Sequence, residues 1–276
     1  MDIPSSVTGF LHRALEEDIG HSDVTASLLI PEEQESKALF VAKEPFVLAG
    51  FPFVSEIFRI LDPSTDVQVF FHEGARAGQG DILAEVTGKT RVILRGERVS
   101  LNILQKLSGI ATLTSMYVEK IKGLKVKIAD TRKTSPCQRF MEKYAVRTGG
   151  GVNHRFGLFD GILIKDNHIT ALGSIGEAVR RAKACHHLLK IEVEVENLDG
   201  LREALEAGAD VVMLDNMSLS HIREAVTISS GRVILEASGG VGIDTVRGIA
   251  EAGVDLISVG ALTHSAKAVD ISLNIV

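Results

Sequence analysis

The chain has no tryptophan, two tyrosines and eleven phenylalanines among 276 residues. So few aromatic rings leave little surface for stacking bases, which argues against a single-stranded nucleic-acid platform. A formal net charge of -6 argues against a general nucleic-acid binder as well. There are two cysteines, Cys137 and Cys185, in neither a CxxC nor a zinc-type spacing. That excludes a disulfide framework and points to a reducing compartment. No apolar run is long enough to span a bilayer, so no membrane partner is expected. The first residues, MDIPSSVTGF, lack the basic segment and apolar core of a signal peptide. The expected location is therefore the cytoplasm. No G-x-G-x-x-G follows a strand-like run, which weakens a dinucleotide-binding reading.

What is present is an ordinary globular composition, 45% apolar and 24% charged. Val7, Phe10, Leu11, Ala14 and Leu15 recur at helical spacing, and Gly20 stops that helix. Strand-like runs follow at KALFVAKE and PFVLAG, then a helix at PFVSEIFRILD and strands at VQVFFHEG and DILAEVTG. The ARAGQG run between the last two has the rhythm of a lipoyl or biotinyl hairpin, but no lysine sits at a tip. From Arg91 to Gly123 the spacing is helical, with a break expected at Ser108 and Gly109. After Gly123, strands and helices alternate. Strands are expected at VKIAD, GILIK, LKIEVEVE, DVVMLDN, VILEASGG and LISVGAL. Helices are expected at EKYAVR, SIGEAVRRAKAC, LDGLREALEAG, SLSHIREAVTI and GIDTVRGIAEAG. Such alternation specifies parallel βα units, in a barrel or an open doubly wound sheet. Six strands are too few for a complete eightfold barrel.

Charge is unevenly placed. Between Thr131 and Phe159 lie Arg132, Lys133, Arg139, Lys143, Arg147 and Arg155, with His154, against one acid, Glu142. A cationic island in an acidic chain faces something anionic. For Arg139, Lys143 and Arg147 a solvated helix face is an equal expectation. Arg132 and Lys133 follow the first strand of the repeating part and Lys165 ends the second; in barrels the strand C-termini carry function. In LKIEVEVEN, Glu192, Glu194 and Glu196 share one strand face and the valines the other. With helices over the valines, the glutamates point inward, where a carboxylate needs a cationic partner. For Glu192 that partner could be a core lysine or arginine. Asp215 ends the next strand, beside Glu194. Two carboxylates there suit Mg²⁺, held directly or through water, although Asp215 could instead cap the following helix. Ser238, Gly239 and Gly240, before an expected helix, and Gly260 with His264 after the last strand, form a candidate phosphate cradle.

The blocks DTRKT-P, EKYAV, GG-NHR and IKDNH, in that order, resemble the signature of the quinolinate phosphoribosyltransferases. ALEEDIGHSDVT, GERVSLNILQKLSGIAT, IEVEVENL, VMLDNM, LEASGG and SVGALTHS extend the resemblance over nearly the whole chain. One departure is Cys137-Gln138-Arg139, where the family pattern carries a glycine and a leucine before the arginine.

The resemblance implies an N-terminal α+β domain, residues 1–110, to which 266–276 return, and an incomplete TIM-like α/β barrel of fewer than eight strands, residues 111–265. It implies transfer of a phosphoribosyl group from phosphoribosyl pyrophosphate to quinolinate, with loss of CO₂, in NAD biosynthesis. It places Arg132, His154, Arg155 and Lys165 on quinolinate, shares Lys133 with the phosphoribosyl donor, and puts Glu194 and Asp215 on the ribose and Mg²⁺. It also brings Arg98 into the site of a neighbouring subunit, which requires a homodimer or a higher oligomer. Two other readings compete. One is another enzyme on this scaffold, such as the paralogue found with molybdate transport, against which the intact NHR and IKDNH blocks argue. The other is a non-catalytic sugar-phosphate sensor, which has no use for both Glu194 and Asp215 beside the full cationic set.

Overall fold

The structure is a computed structural model and describes residues 2–185 and 187–276. The chain forms two compact units. One holds the chain up to Ser115 with Thr134–Gly150 and Thr263–Val276; the other holds Met116–Lys133 and Gly151–Leu262. In chain order the elements begin α1 (Ser5–Ile19), α2 (Val24–Leu29), β1 (Glu35–Ala42), β2 (Phe46–Val47), α3 (Phe51–Leu61), β3 (Asp66–Val69), β4 (Arg76–Ala77), β5 (Ile82–Lys89) and α4 (Thr90–Lys120). They continue with β6 (Lys127–Ala129), α5 (Arg139–Thr148), β7 (Ile162–Ile164), α6 (Asp166–Leu172), α7 (Ile175–Cys185), β8 (Ile191–Val195), α8 (Leu198–Ala207) and β9 (Val211–Asp215). The last are α9 (Leu219–Ser229), β10 (Ile234–Ser238), α10 (Val246–Glu251), β11 (Leu256–Ser258), α11 (Ala261–His264) and β12 (Ile271–Ile275).

The first unit is built on an antiparallel sheet in the order β12-β1-β5-β3. Ala38, Phe40 and Ala42 alternate along β1 with more exposed residues. They join Leu83, Ala84 and Val86 of β5 and Phe51, Val54 and Phe58 of α3 in one apolar core. β12 brings the chain's last residues onto β1, in register from Ala38↔Ile275 to Ala42↔Ile271.

Two features of this unit depart from the sequence reading. α4 is not broken at Ser108 and Gly109 but runs through them. The Ser108 hydroxyl accepts the Ala49 N–H at 3.1 Å and donates to the Ala49 carbonyl at 3.2 Å. A Cβ on Gly109 would lie 2.0 Å from the Lys267 carbonyl oxygen, so this glycine admits a passing backbone rather than ending the helix. α5, the EKYAVR helix expected in the barrel, belongs to the first unit. Phe53 of α3 packs edge-on against Tyr144 of α5, and Lys106 of α4 pairs with the fully buried Glu142 at 2.7 Å. Lys143 is buried, Arg139 half-buried and Arg147 exposed, so a uniformly solvated face is not what forms.

The second unit is an incomplete α/β barrel of six parallel strands in the order β6-β11-β10-β9-β8-β7. Val193 and Val195 of β8 are buried, and Gly200 of α8 comes close enough for Val195 to pack on it. Helix starts and stops follow local chemistry. Asn197 Oδ1 accepts the Gly200 N–H at 2.9 Å and begins α8; Gly208, at φ 75°, ends it. α6, which begins within the IKDNH block and runs on to Leu172, is an element the sequence reading does not contain; its first turn is closed by the His168 ring, whose Nδ1 accepts the Lys165 N–H at 2.9 Å. α10 starts at Val246, later than expected, because Gly242 to Thr245 form a turn that Thr245 Oγ1 closes on the Gly242 N–H at 3.0 Å. No helix among the described residues is long and apolar enough to cross a membrane.

Candidate active site

A cavity of about 450 Å³ opens in the second unit. Its lining comes from the C-terminal ends of the strands and the loops after them: Arg132 and Lys133 after β6, Lys165 after β7, Glu194 on β8, Asp215 ending β9, and Ser238, Gly239 and Gly240 at the end of β10. Arg155 completes the cationic side, and His154 beside it, from the same segment before β7, also lines the cavity. Parallel strands carry their side chains to one rim, so residues far apart in sequence meet there.

One ion pair and several hydrogen bonds hold the charged side chains of this wall. Lys165 Nζ binds Glu194 Oε2. Asp215 Oδ2 accepts the side-chain N–H of Asn216 at 2.9 Å. Arg155 donates to the Gly161 carbonyl at 3.0 Å. Partial burial pushes the Arg155 guanidinium below its usual range; Arg132 adds to this, while Glu192 and Asp160 pull it back up. A guanidinium whose charge is opposed by another cation gains from an anionic ligand.

A smaller cavity adjoins the first through shared residues. Lys133, Ser238, Gly239, Gly240 and Gly260 line it. Gly239 and Gly240 have φ of 89° and 60°, and a Cβ on Gly239 would lie 2.3 Å from Asn216 Oδ1. Backbone therefore forms the wall here, as a phosphate cradle needs. The cradle is a loop and not a helix N-terminus, since α10 begins six residues after Gly240. His264, expected in this cradle, lines neither cavity; it ends α11, with Nδ1 2.6 Å from Ser265 Oγ.

His154 lines the cavity as expected, and its ring also has acidic neighbours. Its Nε2 lies 3.0 Å from Glu192 Oε2 and 3.7 Å from Glu236 Oε2. Glu192 thus finds its partner in a histidine rather than a lysine or arginine. Glu196 lies beyond the end of β8 and is exposed, because the strand stops at Val195. Arg98 is exposed on α4 and lines neither cavity.

Sequence reasoning missed Glu236 and Asp130. Asp130 is fully buried and accepts from Asn153 Nδ2 at 2.5 Å and from the His154 N–H at 2.9 Å. Glu236, 1% exposed, sits in VILEASGG, an acid in an apolar strand. The β8 glutamates stood out by alternating with valines; a lone acid in an apolar strand is a weaker sign of the same cost of burial. Burial first, and then the neighbouring Glu192, with Asp130, push the Glu236 carboxyl up to about 7.

Glu194, one residue before the end of β8, and Asp215, ending the neighbouring β9, both line this cavity, and carboxylates with waters and substrate oxygens are the kind of ligand Mg²⁺ takes.

Comparison with known proteins points to one family. Residues 23–108 match the model of the quinolinate phosphoribosyl transferase N-terminal domain, and residues 110–274 that of its C-terminal domain. A probable nicotinate-nucleotide pyrophosphorylase [carboxylating] of Bacillus subtilis is 45% identical over 260 residues, 94% of this chain and 90% of that one. Another, of Methanocaldococcus jannaschii, is also 45% identical, over 96% of each chain. The nicotinate-nucleotide pyrophosphorylase structure from Francisella tularensis superposes with a TM-score of 0.94 at 42% identity, covering 100% of this chain and 98% of that one. With both domains matched in order and the strand-end cations and carboxylates in one cavity, the chain belongs to the quinolinate phosphoribosyltransferase family.

Proposed function

We propose that the protein transfers the phosphoribosyl group of phosphoribosyl pyrophosphate to the ring nitrogen of quinolinate, with release of pyrophosphate and CO₂, giving nicotinate mononucleotide. The observation that carries this is the division of one cavity. Arg132, Arg155 and Lys165 supply more positive charge than one carboxylate needs, and Glu194 and Asp215 stand at the neighbouring strand ends. Arginines take the adjacent carboxylates of quinolinate as two-pronged donors. Lys133, shared by both cavities, meets the phosphates of the donor, whose 5′-phosphate rests on Ser238, Gly239, Gly240 and Gly260. Glu194 and Asp215 face the ribose, where positive charge develops as pyrophosphate departs. Glu194 and Asp215 would hold Mg²⁺, directly or through water, and the ion would supply charge neutralisation for the departing pyrophosphate.

The enzyme works as a homodimer or larger assembly in which Arg98 of one subunit completes the quinolinate site of its partner. Two things support this: the resemblance around GERVSLN, and the exposure of Arg98 on α4. The cytoplasm is the compartment of this activity, a reading supported by a composition without disulfide pairs. Incubation with phosphoribosyl pyrophosphate, Mg²⁺ and either quinolinate or nicotinate tests the assignment. Pyrophosphate and CO₂ should form from quinolinate, with little turnover of nicotinate. Equal efficiency with nicotinate would overturn it.

A further inference from the structure

Both nitrogens of the His154 ring are engaged. Nδ1 accepts the backbone N–H of Arg155 at 2.8 Å. Nε2 faces Glu192 Oε2 at 3.0 Å and Glu236 Oε2 at 3.7 Å. A peptide N–H can only donate, so Nδ1 must present a lone pair, and the ring proton then sits on Nε2, pointed at Glu192. Flipping the ring would set carbon against both the N–H and the carboxylate, so the partners decide the orientation. We propose that His154 works as a neutral Nε2–H tautomer that positions Arg155, rather than as a cation that binds a substrate carboxylate. That Arg155 faces quinolinate rests on the activity proposed above; the tautomer does not.

The surroundings support a positioning role. The segment is pinned on one side by Asp130, which accepts from Asn153 and from the His154 N–H, and on the other by the Arg155 bond to Gly161. The ring adds a link from the Arg155 backbone to Glu192 on β8. The charged groups seen near the ring include Glu192 and Glu236, with Asp130 on the His154 backbone N–H and Arg155 next in the chain. Three acids would favour an imidazolium. Against that, protonation of Nδ1 would break its bond to the Arg155 N–H, and Glu236 keeps a proton of its own up to about pH 7, which removes one of the negative charges. The same three side chains, His154, Glu192 and Glu236, are close enough to clasp a cation. Coordination would need the Nε2 lone pair, which this tautomer does not have.

Nitrogen NMR of ¹⁵N-labelled enzyme, with His154→Gln to assign the ring signals, reads the tautomer directly. Between about pH 6 and 8, where histidine ordinarily titrates, Nδ1 should remain unprotonated and Nε2 protonated, in the free enzyme and with quinolinate bound. Kinetics reads the positioning. Gln keeps a side-chain N–H for Glu192, so His154→Gln should hold the KM for quinolinate within about tenfold. His154→Leu, which loses a hydrogen bond to a charged group, should raise it about 10- to 100-fold, with a smaller change in kcat. A protonated Nδ1 in either state, or equal losses in the Gln and Leu variants, would overturn the proposal. So would tight binding of one Zn²⁺ per chain that His154→Gln abolishes. A wild-type enzyme inactive with quinolinate would sink the activity instead, leaving the NMR result to stand by itself.

Discussion

Replacing Glu236 with Gln should make the protein's stability less sensitive to rising pH. Glu236 is 1% exposed, and its neighbours Glu192 and Asp130 are acids. Its carboxyl is pushed from 4.5 to about 7 in the folded state. The native state therefore holds a proton that the unfolded chain releases between these two values. The stabilisation linked to that proton is fully present below about pH 4.5 and is lost as pH rises through 7. The difference between 4.5 and about 7 corresponds to roughly 3 kcal/mol. Gln has nearly the shape of the protonated acid and no proton to lose, so the variant lacks this loss. Urea unfolding of both proteins at about pH 5 and pH 8 measures it, since midpoint and slope together give the free energy. From the lower to the higher pH, the stability of Glu236→Gln relative to wild type should rise by an amount on the order of 2–3 kcal/mol. Groups distant from Glu236 titrate alike in both proteins and cancel. Parallel stability curves would refute the reasoning and show that Glu236 is ionised throughout.

Glu194→Gln and Asp215→Asn should each lower kcat on the order of 10²-fold or more while raising the KM for quinolinate less, since they act where charge develops; near-wild-type kcat in steady-state assays would make them structural. Arg98→Ala and Lys133→Ala should each be nearly inactive. Under subunit exchange the mixture should recover up to about a quarter of wild-type activity, because half of randomly mixed dimers carry one site with neither change; no recovery despite exchange would remove Arg98 from the partner's site. Cys137 has φ 64°, a left-handed conformation, at the position where the family pattern carries glycine. Cys137→Gly should relieve that strain and raise stability by up to about 1 kcal/mol, the unfolded-state entropy of glycine offsetting part of the gain; a lower thermal midpoint would contradict this.

The sequence by itself determined the succession of the six strands in the second unit and the charged residues at their ends. A strand shows its faces by alternation, and parallel βα units carry strand ends to one rim whatever their distance in the chain. That is why Arg132, Lys133, Lys165, Glu194 and Asp215 could be gathered before any coordinates. Tertiary packing decided the rest. α5 reads locally like any barrel helix, and what assigns it to the first unit is burial against residues as distant as Phe53 and Lys106. Gly109 has the local look of a helix break, and the backbone of Lys267, far along the chain, turns it into a point of close approach. His154 carries the same letter whether it faces a ligand or a core carboxylate. Its aim follows from two hydrogen bonds, one to its own neighbour and one across the barrel to Glu192, and a buried partner of that kind exists only once the strands have paired.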